Sequence, residues 1–135
     1  MAEALLYLDA SAIVKLVLPE DESNALARVV ATTSAHVTSI VAAVEVGRAV
    51  RRVTEQAEAL ERCERVIERL DLRALDAEVV RAAAELMPRT IRSLDAIHLA
   101  SAMTFAGELS AFIAYDRQLQ DAAKECGLPV LAPAD

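Results

Sequence analysis

Short apolar runs alternate with helical repeats along the chain. Runs rich in strand-forming residues predict five strands, at residues 4–8, 36–39, 71–74 (the weakest), 111–114 and 130–131. Apolar positions at the helical period predict seven helices, at about residues 11–18, 22–32, 40–53, 55–70, 76–87, 93–106 and 117–126. Because the strands are apolar throughout rather than at every second residue, we expect a parallel sheet with helices on both faces.

The length and composition indicate one globular domain that spans residues 1–135. Hydrophobic residues make up 55% of the chain, which excludes a disordered protein. With no charged-then-apolar leader and no run of eighteen apolar residues, we expect a cytoplasmic protein without a membrane span. Cys63 and Cys126 form no CxxC pair and are expected to be reduced thiols in helices.

Four acidic residues interrupt apolar segments: Asp9, Glu45, Asp95 and Asp116. A buried, unpaired carboxylate is costly and normally finds a cation or takes up a proton. Asp9 and Asp116 each follow a predicted strand, so both should lie at the edge of the sheet where ligands bind. Ser93 is expected to cap the helix over residues 93–106, which puts Asp95 in its first turn. If the four acids converge, they would suit a hard divalent metal ion, which prefers oxygen ligands.

Three of these acids also have a structural explanation. Asp9 and Asp116 could cap the helices that follow them, and Asp95 could interact with a helix dipole. Glu45 has no such explanation, because its helix is apolar nearly all round over residues 40–46. His98 lies one helical turn after Asp95. We expect it to be a core or supporting residue rather than a ligand, since an all-oxygen site suits Mg²⁺ or Mn²⁺ better than imidazole does.

The charge pattern is acidic overall with local clusters of arginine. Fourteen basic and twenty-one acidic side chains give a net charge of −7, and neutralising the four singled-out acids would leave −3. Arg48 and Arg52 share a helix face with Glu45, and Arg92 precedes the Asp95 helix, so Arg48 and Arg92 are candidates for binding substrate phosphates. With only four aromatic residues and no Trp, nucleic-acid binding would depend little on base stacking.

Four segments carry a resemblance to a known family. They are Leu-Asp-Ala-Ser-Ala at 8–12, Val-Glu-Val at 44–46, Arg-Ser-Leu-Asp-Ala-Ile-His-Leu-Ala at 92–100 and Tyr-Asp-Arg-Gln-Leu at 115–119. Together with the tail at 122–130, they resemble the PIN-domain family, and more narrowly the VapC-type toxins of bacterial and archaeal toxin–antitoxin pairs. One departure is Ala114, at a position where such proteins often have Thr.

The resemblance implies a three-layer α/β/α sandwich with a short parallel sheet of four to five strands. It also implies a Mg²⁺- or Mn²⁺-dependent endoribonuclease that uses one or two ions and leaves 5′-phosphate and 3′-hydroxyl ends. Asp9, Glu45, Asp95 and Asp116 would be the catalytic, metal-binding residues, supported by the hydroxyls of Ser11 and Ser93. The implied partners are RNA, a small cognate antitoxin and a second copy of the chain.

Three other functions are alternatives to a ribonuclease toxin. A catalytically silent PIN-like domain that binds RNA or protein is the main alternative. A phospho-acceptor receiver domain would need paired acids after the first strand and a Lys after the last, and the sequence has neither. A flap-type DNA nuclease would need additional DNA-binding elements, for which 135 residues leave no space.

Overall fold

Five short strands form one parallel sheet in the order β3-β2-β1-β4-β5 in the computed structural model, which describes residues 4–135. The strands are β1 (Leu5–Leu8), β2 (Ala35–Ser39), β3 (Asp71–Arg73), β4 (Ala111–Ile113) and β5 (Val130–Leu131). The helices are α1 (Ala10–Val17), α2 (Ser23–Ala31), α3 (Val41–Val53), α4 (Ala57–Glu68), α5 (Ala77–Glu85), α6 (Ser93–Met103) and α7 (Arg117–Glu125). Every predicted element is confirmed, with ends shifted by at most three residues.

The central strand β1 supplies side chains to two separate cores, because successive residues of a strand point to opposite faces of the sheet. Leu6 and Leu8 pack into a core formed with α1 to α4. Tyr7 points the other way and packs with Phe112 into a second core, which includes side chains from α6 and α7. Helices therefore cover both faces of the sheet, and the predicted three-layer α/β/α architecture is confirmed.

The strand order reverses between β1 and β4, and this point determines where a ligand can bind. The two strands pair in parallel, with Leu6 opposite Ala111 and Leu8 opposite Ile113. Just beyond the paired residues, the Asp9 N–H donates to the carbonyl of Ile113 at 3.1 Å. In open parallel sheets the ligand crevice lies at the carboxyl ends of the strands, at such a reversal. Asp9 lies directly at this reversal, and Asp116 lies three residues beyond the end of β4.

The last helix ends in a Schellman motif that directs the chain into β5. Gly127 has a φ of 80°, its N–H donates to the carbonyl of Lys124, and the Leu128 N–H donates to the carbonyl of Ala123. Only glycine adopts this left-handed conformation without strain. The chain then returns to pair β5 beside β4, as the helix stop at Gly127 predicted.

Cys63 lies in α4, and Cys126 directly follows the last residue of α7. Cys63 and Cys126 are unpaired thiols, and burial raises the pKa of each. Among residues 4–135, no helix has the length and apolar character that crossing a membrane requires.

Candidate active site

Asp9 and Asp116 cap the helices that follow β1 and β4. Asp9 Oδ1 accepts hydrogen bonds from the Ala12 N–H at 2.9 Å and from the Ser11 hydroxyl at 2.7 Å. Asp116 Oδ1 accepts from the Leu119 N–H at 2.9 Å. Capping fixes both side chains, and within the described part of the chain the second oxygen of each carboxylate takes part in no hydrogen bond. Each Asp can therefore cap a helix and still bind a cation.

Ser11 also connects the ends of the two strands. While its hydroxyl donates to Asp9, its oxygen accepts a hydrogen bond from the Tyr115 N–H at 3.2 Å. The Gln120 side chain donates to the carbonyl of Ala114 at 2.8 Å. These two contacts hold the segment before Asp116, at the point where Ala114 supplies no hydroxyl of its own.

Asp95 lies in the first turn of α6, as predicted, and its side chain is half-buried. No hydrogen bond of the described residues involves its carboxylate, so both oxygens are available. The prediction that Ser93 caps this helix was wrong. The Ala96 N–H bonds to the carbonyl of Arg92, so Arg92 occupies the capping position and Ser93 is the first residue of the helix. Ser93 is exposed and hydrogen-bonds none of the four acids in residues 4–135.

Glu45 lies on α3 with its side chain 24% exposed, and it has a partner that the sequence did not indicate. Its Oε1 is 2.7 Å from Nε2 of His98. The other ring nitrogen of His98, Nδ1, is 2.7 Å from the hydroxyl of Tyr7. His98 and Tyr7 are almost completely buried. The expectation that His98 is a core and supporting residue is confirmed, since both of its nitrogens are occupied by protein groups.

Burial raises the pKa of Asp9 above its ordinary value, because water is largely excluded from a carboxylate that is only 4% exposed. Hydrogen bonds from Ser11 and Ala12 oppose this shift, and the charge of Glu45 adds to it. Asp9 is therefore a carboxylate whose negative charge the fold compensates only in part.

Burial also raises the pKa of Asp95, and its neighbours act on it in both directions. The charges of Asp116 and Glu45 raise this pKa further, whereas the charge of Arg92 lowers it. The four acids, brought from β1, α3, α6 and the end of β4, are thus close enough to affect one another electrostatically. Such a set favours a cation or a shared proton.

Two clefts with unpaired arginines flank the acids. The first, of about 450 Å³, is lined by Glu45, Arg48 and Arg52 together with Val41, Val44 and Leu94. The second, of about 310 Å³, contains Asp95 and Arg92 and is bounded by Thr90 and the exposed face of α7. Arg48, Arg52 and Arg92 form no salt bridge with any described residue. Each cleft therefore places a free guanidinium beside a carboxylate of the acidic set.

The acidic set suits a hard divalent cation by its donor chemistry. All four side chains offer oxygen, and each keeps at least one oxygen without a hydrogen bond to described residues. In residues 4–135, however, no three His, Cys, Asp or Glu side chains are close enough together to hold one ion directly. A bound ion would therefore complete its coordination with water molecules, which Mg²⁺ commonly retains in proteins.

Comparison with known proteins identifies the family. The model of the PIN domain matches residues 6–125 of the chain. The chain belongs to the PIN-domain family. This PIN domain is 43% identical over 131 residues to Ribonuclease VapC46 of Mycobacterium tuberculosis (strain ATCC 25618 / H37Rv), an alignment that covers 97% of this chain and 99% of the relative. It therefore belongs with the VapC ribonucleases, and the resemblance drawn from the sequence is confirmed.

Solved structures share the fold of this PIN domain. Mycobacterium tuberculosis VapC20, described as a Sarcin-Ricin loop cleaving toxin, superposes with a TM-score of 0.72 at 17% identity, covering 95% of this chain and 99% of that one. A chain of a toxin-antitoxin complex from Klebsiella pneumoniae gives a TM-score of 0.68 at 17% identity, covering 98% of both chains. At these identities the likeness establishes the fold.

Proposed function

We propose that this PIN domain is the ribonuclease toxin of a toxin–antitoxin pair and hydrolyses RNA with the help of Mg²⁺ or Mn²⁺. The observation that carries this proposal is the grouping of Asp9, Glu45, Asp95 and Asp116 at the strand-order reversal of a chain closely related to a VapC ribonuclease. Asp9 and Asp116 also cap helices, and Glu45 contacts His98. Within the described residues, Asp95 has no such structural role, so only a cation-binding role accounts for all four acids together.

Asp9 and Asp95 are proposed as the direct metal ligands. Asp9 is rigid, since Ser11 and Ala12 hold its Oδ1, and its Oδ2 is left for a cation. Asp95 has two free oxygens. Glu45 and Asp116 would complete the site, in part through bound water. One ion or two would supply a water of lowered pKa and would offset negative charge on the scissile phosphate.

The residues of the chain would orient the substrate around this centre. Arg48, in the cleft beside Glu45, and Arg92, beside Asp95, are proposed to bind phosphates on either side of the scissile bond. Attack by water in line with the leaving 3′-oxygen gives a 5′-phosphate and a 3′-hydroxyl, because the ribose 2′-hydroxyl takes no part. We place this activity in the cytoplasm, where the RNA is found.

The proposed partners are a small antitoxin and a second copy of the chain. Val44 and Leu94 are 63% and 47% exposed and line the cleft beside Glu45. Apolar side chains so close to a charged site suit a protein ligand that contacts them and sends a basic side chain to the acids. A second apolar cleft, which includes Val80 and Ile97 between α5 and α6, is available for the homodimer.

The nuclease proposal is tested with Asp95→Asn and Asp9→Asn. Asparagine keeps the shape of both side chains and remains a good cap at position 9, so the variants should fold. Each should lower the rate of RNA cleavage in Mg²⁺ or Mn²⁺ by at least about a hundredfold, as loss of about 2.7 kcal/mol of transition-state stabilisation would do. Sequencing the ends of the products identifies the 5′-phosphate and the cleavage site.

Glu61→Gln is the matched control, because it also removes one negative charge but is exposed and lies on α4, away from the acids. It should cleave at the wild-type rate. If Asp95→Asn cleaves as fast as the wild type, or if a chelator leaves the rate unchanged, the proposal is wrong. Binding of RNA without metal-dependent cleavage would instead favour the catalytically silent alternative.

A further inference from the structure

A chain of two hydrogen bonds, one buried and one partly buried, connects three of the elements that carry or lead to the acids. It runs from the Tyr7 hydroxyl on β1 to His98 on α6 and from His98 to the Glu45 carboxylate on α3, with both distances at 2.7 Å. β1 leads directly to Asp9, and His98 lies one helical turn after Asp95. The bonded residues are 91 and 53 positions apart in sequence, so these two hydrogen bonds exist only in the folded protein.

We propose that Tyr7 and His98 act as positioning residues that hold the Glu45 carboxylate in one orientation at the acidic edge of the sheet. In this arrangement His98 is neutral, accepts a hydrogen bond at Nδ1 from Tyr7 and donates one from Nε2–H to Glu45 Oε1. Glu45 Oε2 then remains for the metal ion or its bound water. The role in catalysis rests on the proposed function, whereas the hydrogen-bond arrangement does not.

Tyr7, the first residue of this hydrogen-bond chain, is fixed in place by the core. Its ring is completely buried and stacks on Phe112, with the ring centres 5.2 Å apart and the planes 10° from parallel. The ring of His98 meets it edge-on at 5.8 Å. Because the ring is packed on both sides, its hydroxyl cannot move away from His98 Nδ1 without opening the core. Tyr7 therefore fixes the position of His98.

The surroundings of Tyr7 determine which atom carries each proton. Burial raises the pKa of Tyr7 far above its ordinary value, so the phenol keeps its proton. The Ser39 N–H and the hydroxyls of Thr38 and Ser101 lie close enough to the Tyr7 oxygen to oppose this shift, and each has a proton to donate. These hydroxyls lie near Tyr7 and lower its pKa, although neither completes a hydrogen bond of good geometry. Among the described residues, His98 Nδ1 at 2.7 Å is the group in hydrogen-bonding geometry to the Tyr7 hydroxyl, and we assign it as the acceptor of the phenol proton.

The tautomer of His98 follows from this proton. A neutral imidazole has one donor and one acceptor nitrogen, so an acceptor at Nδ1 makes Nε2–H the donor. Glu45 Oε1 accepts that hydrogen bond. Fixing the carboxylate in advance removes an entropy cost that a free glutamate would meet when it binds a metal ion. Groups that orient metal ligands in this way typically change metal affinity or activity by about 10- to 100-fold when they are altered.

Two substitutions of His98 separate positioning from packing. Glutamine can place an amide N–H where Nε2–H was and so keeps the donor to Glu45, whereas asparagine is too short to reach it and keeps only the group near Nδ1. We expect His98→Gln to bind Mn²⁺ and to cleave RNA nearly as the wild type does. His98→Asn should weaken Mn²⁺ binding, measured by calorimetry, by about tenfold or more.

The matched control is His36→Gln, because His36 bonds to Thr33 and to the carbonyl of Val30, away from the acids. It should leave both the affinity and the cleavage rate unchanged. In a Glu45→Gln background, His98→Asn should cause no further loss of Mn²⁺ affinity, since the two changes act on the same group. Equal loss in His98→Gln and His98→Asn would mean that His98 acts through packing, and the proposal would be overturned.

Nitrogen NMR tests the tautomer without any measurement of activity. The chain has two histidines, so His36→Gln leaves His98 as the only imidazole signal. We expect the Nε2–H tautomer, and Tyr7→Phe, which keeps the ring but removes the donor, should shift the Nδ1 resonance. A proton on Nδ1, with or without one on Nε2, overturns the arrangement. If the arrangement holds but wild-type protein cleaves no RNA, the proposed function fails and the positioning of Glu45 stands.

Discussion

Asp9→Asn should stabilise the fold while it abolishes the proposed activity. Asparagine retains an Oδ1 that can accept from Ala12 and Ser11, so the helix keeps its cap. What the substitution removes is a negative charge that is 4% exposed and that Glu45 repels. The raised pKa of Asp9 means that the folded state disfavours the ionised form, so removal of the charge should favour folding.

The expected gain is the difference between two opposing effects. Desolvation of an ion costs several kcal/mol in a protein interior. Two hydrogen bonds to a charged oxygen are each stronger by about 1 kcal/mol than bonds to a neutral one, and this part is lost in the variant. The net gain should be about 1–2 kcal/mol, within the range of typical stabilising substitutions. For a domain of this length, that corresponds to a rise in Tm of roughly 3–7 °C.

Asp76→Asn provides a control with the same chemical change and the opposite expected sign. Asp76 caps α5 through the Val79 N–H at 3.0 Å, but it is exposed and pairs with Arg73 at 2.9 Å. The cap hydrogen bond and Arg73 lower its pKa, so its charge stabilises the folded state. Thermal unfolding in a chelator should therefore show a higher Tm for Asp9→Asn and a lower Tm for Asp76→Asn than for the wild type. A lower Tm for both variants would refute the reasoning.

The advantage of Asp9→Asn should depend on pH in a defined direction. The pKa of Asp9 is raised in the folded state from an ordinary value of 3.8. Below that value the group is protonated in both states and costs nothing, whereas above the folded-state pKa the full penalty applies. The difference in Tm between variant and wild type should thus grow as the pH rises through this window. Added Mn²⁺ should reduce this difference in Tm, because the ion stabilises the wild type, which is expected to bind it, more than the variant.

Three further substitutions, two of them paired with a control substitution, test the site and the fold. Arg92→Ala should raise the KM for RNA with little effect on kcat, because the guanidinium is proposed to bind phosphate. Arg81→Ala, an exposed change on α5, should leave the steady-state KM unaltered. Gly127→Ala should lower stability by about 1–2 kcal/mol, because φ at this position is 80°; Gly107→Ala, where an added Cβ meets nothing within 4 Å, should not. Phe112→Ala should cost about 3–5 kcal/mol in urea denaturation followed by circular dichroism, since it leaves a cavity under Tyr7; a loss below 1 kcal/mol would contradict the packing described for the second core.

The sequence predicted the positions of the acids along the chain, because these depend on local structure. Asp9 and Asp116 follow apolar strands, and the ends of such strands can be recognised from hydropathy and capping residues. The cap of α6 was misplaced by one residue, since the choice between Ser93 and Arg92 as the cap depends on backbone dihedral angles rather than on residue type. Boundaries of this kind are sensitive to tertiary contacts.

The interactions between the acids and their partners could not be predicted. Tyr7 and His98 meet only because β1 lies at the centre of the sheet and α6 packs over it, and the strand order is not encoded in any short segment. One signal was present: Tyr7 has the only polar side chain in an otherwise aliphatic strand. A buried phenol needs a hydrogen-bond partner, so its presence in β1 indicated a polar group on a neighbouring element without indicating which one.

The pairing of β1 with β4 also determines when the site can form. These neighbouring strands lie about 105 residues apart in sequence, and Asp116 follows the second of them. A nascent chain that ends before residue 111 has no β4, no Asp116 and no strand-order reversal at which a substrate could bind. For a protein proposed to cut RNA, the order of synthesis therefore delays the activity: β1, α3 and α6 are translated first, and the acidic set is complete only once Asp116 has been added.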